Sequence, residues 1–155
     1  MGERERLALF NIISSYIPGA EVIDAYAGSG ALGIEALSRG AKSVIFIEKN
    51  ALALKTIVEN CSSLGISKEQ TEFYKGSVEA FYRDNFRTQT DLILADPPYD
   101  HFDEKEVGGL IDYLRPDGIL VLSHPGEAPI LDDVELIKTQ KYASAHISIY
   151  RKLYA

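Results

Sequence analysis

The sequence predicts a doubly wound α/β fold around one mostly parallel, seven-stranded sheet, and three observations predict it. Short, nearly continuous apolar stretches alternate with segments of helical spacing. Glycine or proline punctuates almost every change. The chain then closes on two β-like stretches with no helix between them, which suggests an antiparallel edge. Strands apolar on both sides must be covered on both faces, and parallel neighbours need helical crossovers to connect them.

Each element follows in order. Leu7, Phe10, Ile13 or Ser14, and Ile17 recur every three to four residues, predicting an opening amphipathic helix that Pro18-Gly19 stops. Glu21–Tyr26 reads as a short buried strand running into a glycine-rich turn. Ala31–Arg39 has helical spacing, with Gly40 placed to cap its exit. Ser43–Ile47 is a β-branched second strand, and Ala51–Leu64 a helix ended by Gly65. Thr71–Tyr74 and Val78–Phe86 repeat the pair as strand and helix. Asp91–Ala95 is a fourth strand, stopped by Asp96-Pro97-Pro98-Tyr99. A helix over Glu104–Leu114 is broken by Arg115-Pro116-Asp117-Gly118 before a fifth strand, Ile119–Ser123. Val134–Thr139 and Ala145–Lys152 complete the sheet.

The 155 residues make one domain without linkers or repeats, long enough to bury a core. No apolar run reaches the length of a membrane span, and the charged start Met1-Gly2-Glu3-Arg4 is not a signal peptide. One cysteine, Cys61, excludes an internal disulfide, and three scattered histidines form no metal cluster. A reducing cytoplasm is the default, and the oligomeric state is left open. The net charge is −7, unusual for a protein that grips phosphates directly. The charge is uneven: Lys138, Lys141, Arg151 and Lys152 close the chain without an acid among them. That end is either a solvated face or a side turned toward a polyanion.

Gly28-Ser29-Gly30-Ala31-Leu32-Gly33 follows a strand and opens a helix, the context in which a glycine loop binds a nucleotide or nucleoside. Tyr26 and Ala27 lead into it. Glu48, followed by Lys49, ends the second strand, where a carboxylate can accept from both hydroxyls of a ribose. Asp24 chooses among ligands. An acid just ahead of the loop would repel a pyrophosphate but suit a ligand carrying an ammonium or sulfonium. Its alternative is a strand-end cap.

Asp96-Pro97-Pro98-Tyr99 ends the fourth strand, beside where the first strand's loop should lie. Two prolines fix two φ angles and remove two N–H donors. Asp96 and the Pro97 carbonyl can then accept both hydrogens of a planar amine, while Tyr99 stacks on its ring. This arrangement helps to localise a lone pair otherwise delocalised into the ring, so catalysis there is mostly positioning and electrostatics.

On these residues the chain resembles the class I S-adenosylmethionine-dependent methyltransferases. More narrowly, it resembles the RsmD-type family. The stretches that match are Leu9-Phe10-Asn11-Ile12-Ile13, the run Ile23–Ala41, Glu48 and Asp96–Tyr99. The resemblance implies methylation of the exocyclic N2 of a guanine in 16S ribosomal RNA, with S-adenosylmethionine as donor and the small ribosomal subunit as partner. It further implies a cofactor site at Asp24, Tyr26, Ala27, Gly28, Ser29, Gly30, Gly33, Glu48, Lys49 and Asp96. Two departures accompany it. The family's basic N-terminal segment is expected to be absent here. The acid often used for the adenine amine is replaced by Gly76-Ser77-Val78, so that Ser77 or a backbone carbonyl must serve. Adenine N6 or a glutamine amide are the alternative acceptors, and a noncatalytic cofactor-binding module the alternative role. Cys61, His101, Phe102 and His124 are read as structural or bordering residues.

Overall fold

A computed structural model describes residues 1–84, 87–143 and 145–154. The elements run α1 (Glu3–Ile12), β1 (Glu21–Asp24), α2 (Ala31–Ser38), β2 (Ser43–Glu48), α3 (Ala51–Ser63), β3 (Thr71–Lys75) and α4 (Val78–Asp84). They continue with β4 (Thr90–Ala95), α5 (Glu104–Gly109), β5 (Leu114–His124), β6 (Val134–Lys141) and β7 (His146–Lys152). The seven strands form one sheet in the order β3-β2-β1-β4-β5-β7-β6. The pairings from β3 across to β5 are parallel, and β7 lies antiparallel to both β5 and β6.

The alternation read from the sequence therefore holds, and so does its cause. β1 and β4 are buried on both faces, with Val22, Ile23, Leu92, Ile93 and Leu94 almost wholly excluded from water. Two apolar clusters result, one on each side of the sheet. Phe10, Ile17, Phe46 and Ile57 fill the first; Phe81, Val107, Leu110 and Tyr150 fill the second.

Four details differ from the reading. The opening helix stops at Ile12 and a 3₁₀ turn, Ser14–Tyr16, carries the chain on; the buried stripe is Leu9, Phe10, Ile13 and Ile17, while Leu7 is exposed. Tyr26 lies past the end of β1. The helix expected over Glu104–Leu114 divides at Gly109 into α5 and a 3₁₀ turn, Leu110–Tyr113. A side chain at Gly109 would reach within 2.8 Å of the Tyr82 ring, so the close approach of α4 uses a glycine poorly suited to prolonging the helix. Arg115-Pro116-Asp117-Gly118 is not a loop before the fifth strand but a bulge inside it. Thr90 pairs with Leu114 and Leu92 with Ile119, and Asp117 takes a φ of 68° to absorb the surplus residues. The end of the helix expected over Val78–Phe86, Asn85 and Phe86, lies outside the described residues.

The basic tail is partly spoken for internally. Lys152 Nζ donates to the Ile111 carbonyl at 2.7 Å, and Arg151 sits 3.5 Å from Glu135. Among the described residues, no helix is long and apolar enough to cross a membrane, and no cluster could hold a metal ion.

Candidate active site

Strand order reverses direction between β1 and β4, since β1 leads back to β2 on one side and β4 leads on to β5 on the other. Ligands of open α/β sheets bind outside the carboxyl ends of the strands at such a point. A cavity of about 520 Å³ opens there, within the roughly 300–1,000 Å³ typical of small-molecule sites.

Its walls come from several strand ends. After β1 the backbone turns through the glycine loop. Gly30 adopts a φ of 82°, which an L side chain rarely tolerates, and so aims α2 back across the sheet. A Cβ on Gly33 would collide with the Phe46 ring and lie 2.9 Å from Val44, so that glycine sets how closely α2 packs on β2. Glu48 at the end of β2 is held from both sides. Its Oε1 accepts from the Gly28 N–H at 2.8 Å and its Oε2 from the Asn50 N–H at 2.9 Å. Both oxygens keep lone pairs for a ligand. Ile47 and Val78 add apolar surface beside Gly76 and Ser77.

Asp96, Pro97 and Pro98 line the same cavity as Gly28, Glu48 and Lys49. The two sequence motifs thus meet as expected. Asp96 Oδ2 lies 3.1 Å from the Met1 α-ammonium, with its side chain 24% exposed.

Other expected residues sit elsewhere. Ala27, Ser29, Gly30 and Gly33 shape the loop without lining the cavity. Asp24 lies behind it, only 1% exposed. Its Oδ2 accepts from the Gly33 N–H at 3.0 Å, while Oδ1 has no hydrogen-bond partner among the described residues. Burial pushes its carboxyl up to about 7 against the lowering effect of the Gly33 bond, and the charges of Asp96 and Glu48 add to the rise. Ser77 lines the cavity, but its Oγ already accepts from the Ala80 N–H at 3.0 Å, capping α4. Tyr99 is half-buried at the end of the proline turn. Its hydroxyl bonds to Ser123 Oγ on β5, tying the proline loop to the neighbouring strand. That bond is an anchoring contact which the sequence reading did not include.

Sequence reasoning missed one part of the cavity lining. Asp103 and Glu106 of the α5 region line the cavity, as does His101, which had been set aside as a bordering residue. Tyr26 crosses to this wall and donates to Glu106 Oε2 at 2.7 Å. Burial, with Glu106 alongside, holds its phenol far above the usual tyrosine range. The only signal in the sequence was the cluster of acids just after the proline loop.

Glu48, Asp96, Asp103 and Glu106 outnumber the one lysine of the lining, Lys49, and Asp24 stands behind them. Such a cavity repels a pyrophosphate and favours a ligand that is cationic where it meets these acids. Fold and site together define an enzyme of the methyltransferase class. The family model described as Conserved hypothetical protein 95 matches residues 1–151, and the chain belongs to that family. Ribosomal RNA small subunit methyltransferase D of Haemophilus influenzae is 32% identical over 84% of this chain and 69% of its own length. Bacillus subtilis YlbH is 33% identical over 97% of this chain and 85% of its own. The crystal structure of Haemophilus influenzae HI0767 superposes with a TM-score of 0.84 at 30% identity, covering 98% of both chains.

Proposed function

We propose that this chain acts as one S-adenosylmethionine-dependent methyltransferase domain. In this reading it methylates the exocyclic N2 of a guanine in small-subunit ribosomal RNA. One observation carries the reading: the Asp96-Pro97-Pro98 turn opens on the same cavity as the Gly28–Glu48 cradle. The RNA assignment draws on the name of the Haemophilus influenzae relative.

The cradle fits the cofactor on its own chemistry. Glu48 is oriented by two backbone N–H groups and can accept from a ribose diol. Ile47 and Val78 offer apolar contact to a purine, and the surrounding carboxylates favour positive charge. When bound, S-adenosylmethionine supplies a methyl group made electrophilic by its sulfonium. The remaining work falls to the chain. Asp96 and the Pro97 carbonyl accept the two amine hydrogens and hold the nitrogen lone pair toward the cradle. The rigid proline turn keeps that aim with little reorganisation. Asp96 need not be a strong base, because methyl transfer turns the nitrogen into a four-coordinate cation that sheds a proton readily. The guanine must be unstacked to enter, which is cheapest where a folded subunit already presents it.

The test uses small ribosomal subunits from cells lacking the activity, labelled methyl donor, and mass spectrometry of the nucleosides. N2-methylguanosine is expected. N6-methyladenosine, or label confined to protein, would replace the acceptor named here.

A further inference from the structure

We infer that Glu106 is the residue that tells guanine from other amine-bearing bases, by accepting the N1–H that neighbours the methylated amine. The inference rests on the guanine reading above and assigns it a specificity determinant.

The α5 wall faces the cavity that Asp96 and the two prolines also line. Glu106 is half-buried and held at several points. Asp103 Oδ1 accepts from its backbone N–H at 3.3 Å, its backbone carbonyl accepts from the Tyr82 hydroxyl, and its Oε2 accepts from Tyr26 at 2.7 Å. No hydrogen bond is made to its Oε1 among the described residues. A carboxylate oxygen is thus fixed at the cavity wall with accepting capacity to spare, in the preorganised state a reading group needs.

The chemistry selects one base. Guanine carries two donors side by side, the N2 amine and N1–H. Adenine and cytosine place a ring-nitrogen lone pair beside their amines instead. An acceptor-only side chain next to the amine site forms a charge-assisted bond to guanine and faces lone pair against lone pair in the other two. The loss of one charge-assisted hydrogen bond makes the expected discrimination on the order of 10- to 100-fold.

The base 2-aminopurine probes this contact, since it keeps the N2 amine but bears a lone pair at N1 and no O6. Once the wild-type product has located the target nucleotide, subunits are rebuilt by ligated rRNA with guanine or 2-aminopurine at that position. Single-turnover kcat/KM is then compared. Wild type should prefer guanine by about 10- to 100-fold. Glu106→Gln, which can donate to the N1 lone pair, should narrow that preference to within about threefold, chiefly by raising the 2-aminopurine rate. Tyr26→Phe removes the phenol bond but keeps the carboxylate, so the preference should persist whatever happens to the absolute rate. If Glu106→Gln lowers both rates equally, or Tyr26→Phe erases the preference, Glu106 is a support for Tyr26 and the inference falls. A wild type that methylates no guanine would instead sink the underlying reading.

Discussion

Replacing Asp24 with asparagine probes the electrostatics of the cradle at its most buried point. Asn is nearly isosteric, and its amide oxygen can keep the bond from the Gly33 N–H. What it removes is an ionisable group whose carboxyl is held at about 7 instead of 3.8. The unfolded chain gives up this proton near 3.8, while the folded protein keeps it until about 7. The associated stability is therefore whole below the lower value and disappears as pH rises through the upper one. A shift of about three units amounts to roughly 4 kcal/mol in all, of which more than half should be lost between pH 5 and pH 8. Urea unfolding of both proteins across that range reads it directly. The wild type should lose about 2–3 kcal/mol relative to Asp24→Asn, most of it below pH 7. A difference that stays flat within about 0.5 kcal/mol would refute the idea that Asp24 is a strained, half-protonated acid behind the cavity.

Two further outcomes follow from the geometry. Glu48→Gln leaves an amide hydrogen facing a backbone N–H donor, at Gly28 or Asn50. Calorimetry should show S-adenosylmethionine affinity falling about 10- to 100-fold, with the single-turnover rate at saturation little changed. Gly33→Ala drives a methyl group into Phe46 and Val44, deep in the first apolar cluster. Its urea midpoint should report a loss of about 2 kcal/mol, and an unchanged midpoint would mean α2 can slide off the sheet at no cost.

The fold was legible because its determinants are local. Val22-Ile23, Ser43–Ile47 and Asp91–Ala95 are too apolar for one-sided burial, and glycines mark the exits of α2 and α3. The site was legible where chemistry is concentrated in short motifs, as in Gly28–Gly33, Glu48 and Asp96–Pro98. Contacts made by tertiary packing were not. Nothing near Tyr99 in the sequence points to Ser123, 24 residues away, and nothing near Tyr26 points to Glu106, 80 residues on. The bulge at Arg115–Gly118 escaped for a related reason. Pro116 and Gly118 look like a strand boundary, and only pairing with β4 on either side of them makes the strand continuous.

The most direct measurement pairs cofactor binding with methyl transfer in Asp96→Ala, using small ribosomal subunits as acceptor. S-adenosylmethionine should still bind within about tenfold of wild type, while single-turnover transfer at saturating cofactor falls by on the order of 100-fold or more. Transfer at the wild-type rate would show that the amine is held somewhere other than the proline turn.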